Sequence, residues 1–195
     1  MFRTLICVFN KYLQFLIFKQ HLEKYKAPNG VVVGVNPLCG SRTFEYLATE
    51  SVIRKVGHET ITTLIVVRNE EERILSAYNK KIVSQSDWKK VVLRRLNGMK
   101  QGMSFTDFMW VLIRRKSHGY FIDKHFRPCT KQGGSLMNIT DTYSLEKTLG
   151  IEEKSLMNTK VKSSESVMPK GVSAKKNLTA RESKLFKRYI GLYEQ

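Results

Sequence analysis

Two apolar runs constrain the fold of this chain more than any other feature: VVVGV, Val31–Val35, and TITTLIVV, Thr60–Val67. The first is short, β-branched and continuously apolar, which suits a strand covered on both faces, and the second reads as another buried strand. Each leads into a stretch of helical spacing. After Val35 the loop NPLCGSR opens TFEYLATESVIRKV, in which Phe44, Leu47, Val52 and Val56 are candidate core contacts and Gly57 is the stop. After Val67 the chain passes through Arg68 and Asn69 into EEERILSAYNKK, with Ile74, Leu75, Tyr78, Ile82 and Val83 as apolar contacts. Asn69 is the expected N-cap, Glu72 completes a capping-box spacing, and Glu70–Glu72 set negative charge where the helix dipole favours it. Two strand-to-helix units predict an α/β domain with a central parallel sheet flanked by helices, whose ligands sit outside the carboxyl ends of the strands.

Further along, Trp88–Leu96 and Thr106–Arg115 have helical spacing, separated by a turn region at Gly98–Gly102. Ser117–Gly134 is loop-rich, Asn138–Gly150 fits either a strand or a helix, Ser155–Lys176 reads as a long surface loop, and Thr179–Tyr193 as a closing helix. A length of 195 residues suits one domain with a substantial core. Residues 31–195 are therefore expected to form that domain, and residues 1–30 an N-terminal amphipathic helix and linker. Leu5–Phe18 (LICVFNKYLQFLIF) falls short of the roughly 20 apolar residues of a bilayer span. Asn10, Lys11 and Gln14 give it a polar stripe, so the expectation is a helix lying on the domain, on an interface or, through residues 2–20, on a membrane surface; a signal-anchor is the competing reading.

The 34 basic residues outnumber the 17 acidic ones, for a formal charge of +17, which implies an anionic partner without naming it. Cys7, Cys39 and Cys129 are widely spaced and lack a CxxC pair, so they are expected to be isolated thiols, with neither a disulfide framework nor a zinc site.

Three segments carry chemistry, the third running from Phe105 to Pro128. Asn36–Thr43, NPLCGSRT, joins a strand to a helix. Free backbone N–H groups at a helix start form an anion site, and Gly40 permits close approach, although such loops are more often plain connections and this one is not a Walker A sequence. In VVRNEEERILSAYNKK, Arg68 at a strand end is a planar fork suited to phosphate and Ser76 adds a hydroxyl donor; the competing reading pairs Arg68 with Glu70 or Glu72.

Arg68, Asn69, Arg73, Ser76, Ala77 and Tyr78 resemble the RDPxxRxxSAY pattern of sulfotransferases, with Glu70 in place of the proline. SFTDFMWVL and FIDKHFRP are similar to that family's FxDFVxxL and DxHWRP, with Phe126 replacing the tryptophan. The resemblance, to the carbohydrate-type (chondroitin/HNK-like) sulfotransferases, covers about Val31 to Tyr193. It implies a P-loop-like sulfotransferase fold, 3′-phosphoadenosine 5′-phosphosulfate (PAPS) as donor, no metal, and sulfuryl transfer to a hydroxyl of a carbohydrate acceptor, and the net positive charge suits one that is already anionic. It further implies that Arg68 and Ser76 hold the 3′-phosphate and that Gly40, Ser41, Arg42 and Thr43 line the 5′-phosphosulfate loop. His125 would act as base toward the acceptor, with Asp123 and Arg127 binding substrate; the competing reading is a histidine that only makes structural hydrogen bonds in an aromatic-rich loop. His118 fits no pattern.

One departure bears on catalysis. The family's loop reads roughly PKxAGTS, and alignment on Pro37 places Leu38 at the lysine, so either Arg42 supplies the charge or the chain is a degenerate relative that binds nucleotide or acidic glycan without turnover. A basic nucleic-acid-binding protein is a third reading, resting on KKVVLRRL and VLIRRK, but no nucleic-acid motif accompanies them and none is expected as partner. The resemblance implies a Golgi or other membrane-associated location, while the absence of a convincing span leaves a soluble cytoplasmic one open. Asn138-Ile139-Thr140 and Asn177-Leu178-Thr179 are glycosylation sequons that matter only in a secretory pathway.

Overall fold

The computed structural model describes residues 22–84, 98–120, 122–129, 134–152 and 174–194. The expected helices at Leu5–Phe18 and Trp88–Leu96 and most of the expected surface loop at Ser155–Lys176 lie outside these residues. The chain divides into two compact units, one of Gln20–Arg73 and Cys129–Glu165, the other of Met1–Lys19, Ile74–Pro128 and Ser166–Gln195.

The first unit is built on a five-stranded sheet. Its strands are β1 (Glu23–Lys26), β2 (Val32–Val35), β3 (Arg54–Val56), β4 (Leu64–Val67) and β5 (Ser135–Asn138), in the order β3-β1-β2-β4-β5. β2 pairs parallel with β4 (Val33 opposite Leu64, Val35 opposite Val66), and β4 parallel with β5 (Leu64 opposite Ser135, Val67 opposite Asn138). β1 runs antiparallel to both β2 and β3. The sheet is thus mixed, where a parallel one was expected, and Glu23–Lys26 is a strand inside a segment read as helix and linker. Tyr25 explains the pairing: its ring is fully buried and packs on Phe44 with centroids 5.7 Å apart.

The two apolar runs form β2 and β4, and Val33, Val35, Leu64 and Val66 are buried in one core with Phe44, Leu47, Leu145 and Leu149. Gly34 interrupts the valines because a Cβ there would lie 2.7 Å from Leu22 Cδ1 and 3.0 Å from Thr62 Cγ2. Helix α1 (Ser41–Thr49) covers this core with Phe44 and Leu47, as the spacing predicts. It stops earlier than expected: Ser51 turns to φ 61°, and Arg54–Val56 leaves as β3. Helix α2 (Glu70–Tyr78) starts at Asn69, whose Oδ1 accepts from the N–H groups of Glu71 (3.0 Å) and Glu72 (3.2 Å). The division between the units falls within it.

In the second unit a π-helical turn, Asn79–Val83, follows α2. Helix α3 (Phe105–Ser117) is capped by Ser104, whose Oγ accepts from Asp107 N–H, and its last turn carries Arg114, Arg115 and Lys116 where the dipole favours cations. His118, unassigned by pattern, is its C-cap residue, with Nδ1 2.8 Å from the Arg114 carbonyl. Phe105 and Phe108 pack around Tyr78, and Phe126 meets Phe108 edge-on at 5.3 Å, so the ring that stands for the family's tryptophan is a core contact. The ambiguous Asn138–Gly150 segment, in the first unit, resolves into the end of β5 and helix α4 (Thr142–Leu149). Helix α5 (Ala180–Glu194) opens with a reciprocal capping box: Thr179 N–H donates to Glu182 Oε2 (2.8 Å), and Glu182 N–H to Thr179 Oγ1 (3.4 Å). Its Tyr189 hydroxyl donates to the Phe126 carbonyl at 2.8 Å.

Candidate functional site

In the first unit, parallel pairing of β2, β4 and β5 brings three strand ends to one edge: the loop after Val35, Arg68 after Val67, and Asn138–Thr140. Asn36 begins the loop, fully buried, and its Nδ2 donates to the Val66 carbonyl at 3.1 Å, tying the loop to β4. Cys39 N–H donates to the Asn36 carbonyl (3.0 Å), closing a turn that holds Leu38 at φ 64°. Gly40 then takes φ 84° and serves as N-cap of α1; a Cβ there would lie 2.8 Å from Ile139 Cδ1. α1 has no side-chain cap and no acidic residue in its first turn. The N–H groups of that turn, at Ser41, Arg42 and Thr43, therefore keep their donor capacity and the positive end of the dipole. Ser41 and Thr43 are half-buried and Arg42 is exposed, with no acidic partner among the described residues.

Arg68 is part-buried, and its Nε donates to Glu72 Oε2 at 3.1 Å. This is one of the two pairings that the competing reading offered for it. Glu72 consequently supplies only half of a capping box. Arg73 is 2 % exposed and donates through Nε to Glu70 Oε2 at 2.9 Å, while Glu70 Oε1 accepts from Cys129 N–H at 2.6 Å. The second arginine of the motif is thus a buried strut that, through Glu70, holds the chain at Cys129.

Sequence spacing gave no sign of Cys129 meeting Cys39. Their Sγ atoms lie 3.5 Å apart, both buried, so the expectation of isolated thiols is corrected for these two; Cys7 lies outside the described residues. The contact splits their acidities: hydrogen bonding to Cys129 and burial push the Cys39 thiol up, whereas the hydrogen bond from Cys39, with help from Arg73, holds Cys129 down against burial.

The remaining predicted residues fall in the second unit. Ser76 is half-buried in the second turn of α2. Asp123 Oδ1 accepts from both the backbone N–H of His125 (2.9 Å) and its Nδ1 (2.6 Å). Burial opposes ionisation of Asp123, but the hydrogen bonds and charge of His125 outweigh it and hold the carboxyl below its usual range. A carboxylate on Nδ1 fixes the tautomer that leaves Nε2 as the basic nitrogen. Arg127 uses its Nε on the Ile122 carbonyl at 2.6 Å, so part of the fork expected to bind substrate is engaged by backbone.

Among the described residues there is no group of three or more His, Cys, Asp or Glu able to hold a metal ion, and no helix long and apolar enough to cross a membrane.

A strand-loop-helix with an uncapped helix start beside an arginine at the next strand's end is an arrangement suited to an anion. A family profile described as "Sulfotransferase family" matches residues 2–187, nearly the whole chain. The protein belongs to the sulfotransferase family, and its mixed α/β fold, a five-stranded sheet flanked by helices, is consistent with that membership. No curated protein and no solved structure matches the chain.

Proposed function

We propose that this chain is a PAPS-dependent sulfotransferase that transfers a sulfuryl group to a hydroxyl of a carbohydrate acceptor. The observation that carries the reading is the uncapped, glycine-led start of α1 at the carboxyl end of β2, next to Arg68 at the end of β4. Main-chain N–H groups, the hydroxyls of Ser41 and Thr43, and two guanidinium groups form a donor-rich set, which fits phosphate oxygens better than a neutral ligand. We read this segment as P-loop-like in use: Gly40, Ser41, Arg42 and Thr43 toward the 5′-phosphosulfate, and Arg68 with Ser76 toward the 3′-phosphate.

PAPS supplies the activated sulfuryl group, and the protein's part is positioning and charge. Arg42, exposed and without an acidic partner among the described residues, would offset charge growing on the departing phosphate where Leu38 has none to offer. His125, its tautomer fixed by Asp123, is the candidate base for the acceptor hydroxyl, and Arg127 the candidate contact for an anionic sugar. The net charge of +17 suits an acceptor that is itself acidic.

The test is retention on immobilised adenosine 3′,5′-bisphosphate, followed by radiolabelled sulfate transfer from PAPS to a panel of glycans. Retention with transfer is the expected result; absence of retention sinks the reading.

A second reading is favoured by one specific observation. Leu38 occupies the lysine's place on a backbone of positive φ, and with that charge missing the chain would bind the nucleotide or an acidic glycan without turnover. Retention without transfer to any glycan selects it.

A further inference from the structure

Cys39 and Cys129 have no part in the chemistry assigned above, yet they meet at the base of the anion loop. Cys39 immediately precedes Gly40, the N-cap of α1, and its own N–H closes the turn from Asn36. Cys129 is anchored from the other side, because its N–H donates to the carboxylate that holds Arg73. Each sulfur is thus mounted on a braced segment, and the Sγ–Sγ separation of 3.5 Å is a non-bonded contact.

We propose that Cys39 and Cys129 are a peroxide-sensitive pair whose disulfide displaces the anion loop and weakens its hold on phosphate.

Cys129 is the reactive member. It is 8 % exposed against 0 % for Cys39, so a molecule as small as hydrogen peroxide meets its sulfur first. The S–H of Cys39 and the charge of Arg73 favour its thiolate, while Cys39 stays protonated. The thiolate attacks one peroxide oxygen, the O–O bond breaks, and the leaving hydroxide takes a proton to become water, which places a sulfenic acid on Cys129. The Cys39 sulfur then attacks that sulfur; the S–S bond forms, the S–O bond breaks, and the hydroxyl departs as a second water with the Cys39 proton. The two sulfurs together lose two electrons, and the peroxide gains them.

A disulfide has an S–S bond of about 2.0 Å, so the sulfurs must approach by roughly 1.5 Å from their contact distance. Cys129 is restrained through Glu70 and Arg73 and Cys39 through its turn to Asn36, so closing the gap has to shift braced backbone, the anion loop included. Gly40 and the N–H groups of Ser41, Arg42 and Thr43 follow Cys39 directly and shift with it. Formation of the bond rests on the sulfur geometry alone; its effect on phosphate rests on the donor site proposed above.

The experiment uses the full chain carrying Cys7→Ser, so that only this pair can respond. After hydrogen peroxide, non-reducing peptide mass spectrometry should find the Cys39 and Cys129 peptides joined and a pair of hydrogens lighter, with dithiothreitol restoring both thiols. Titration calorimetry with adenosine 3′,5′-bisphosphate should show affinity falling by roughly tenfold on oxidation and returning on reduction. Adding Cys129→Ser should abolish both changes. Peroxide that leaves the thiols unlinked overturns the proposal, and a linkage with unchanged affinity overturns control of the loop. No binding by the reduced protein overturns the donor-site reading and the control with it, while the linkage is still read independently from the mass.

Discussion

Arg68 and Glu72 stand 3.1 Å apart across one turn, with side chains 33 % and 54 % exposed. An ion pair this open is weak. A phosphate offering several oxygens to the same guanidinium would compete well against one solvated carboxylate, so on the proposed reading Glu72 would be a placeholder and not a barrier. Arg68→Ala should weaken binding of adenosine 3′,5′-bisphosphate by roughly 10- to 100-fold, the range of a charge-assisted hydrogen bond. Glu72→Gln should bind as tightly as the wild type or up to about threefold tighter. Calorimetric titration of both variants checks the pair, and undiminished binding by Arg68→Ala would falsify the 3′-phosphate assignment.

Leu38→Lys addresses the catalytic departure. Leu38 already occupies φ 64°, and lysine meets the same backbone strain as leucine, so the exchange adds charge without a new conformational cost. Recovery of a charge-stabilising group is worth a few kcal/mol in the transition state, and the rate of sulfate transfer should rise about tenfold or more. A rate that stays flat or falls removes Leu38 as a limit on transfer.

Gly40→Ala should harm both stability and binding. The new methyl would sit at φ 84° and 2.8 Å from Ile139 Cδ1, a combined cost of about 2 kcal/mol. In a chain of this size that lowers Tm by roughly 4–8 °C. Gly30→Ala is the control. Its φ of 89° brings the same strain, but nothing lies within 4 Å, so it should lose about half as much. Equal losses in thermal melts of the two variants would mean that Ile139 yields freely.

Acid should expose the Asp123–His125 pair. A carboxyl held below its unfolded value contributes stability above that value, about pH 4, and loses it as pH falls through the folded one. Wild type should therefore be more stable than Asp123→Asn at neutral pH, with the gap closing as pH drops below about 4. Denaturant melts across that range check the sign; a gap constant with pH would mean that Asp123 acts only as a hydrogen-bond acceptor. His125→Ala, assayed for transfer at neutral pH, should lose roughly 100-fold or more in rate if Nε2 takes the acceptor's proton.

The edge that gathers the candidate anion site was legible because β2 and β4 are continuous apolar runs whose exits, Asn36 and Arg68, are polar residues straight after valines. The remaining sheet was not. β1 is EKYK, whose single buried ring leaves no apolar run to detect, and β3 is RKV, which continued the apparent helical spacing of α1. The break between α1 and β3 lies at Ser51, a residue with no intrinsic preference for positive φ, so no glycine marked it. Arg68 was recognised for its place at a strand end, yet its pairing with Glu72 is a rotamer choice that spacing permits without requiring. Cys39 and Cys129 meet at the carboxyl edge of β2 and β4, where Glu70 accepts from the Cys129 N–H, and proximity between segments so distant in sequence is a property of topology.

The order in which β2, β4 and β5 associate has a kinetic meaning. β2 and β4 are joined by a short connection through α1 and β3, and little chain entropy opposes their meeting. β5 returns to the same sheet only after the whole of Ile74–Pro128 has been made, so its pairing closes a much longer loop and belongs to a slower stage of folding. Ile139, which packs against Gly40, arrives with β5. During synthesis the anion loop would therefore lack one of its walls until the chain beyond Asn138 has emerged, and capacity to hold phosphate should appear late, with docking of the last strand.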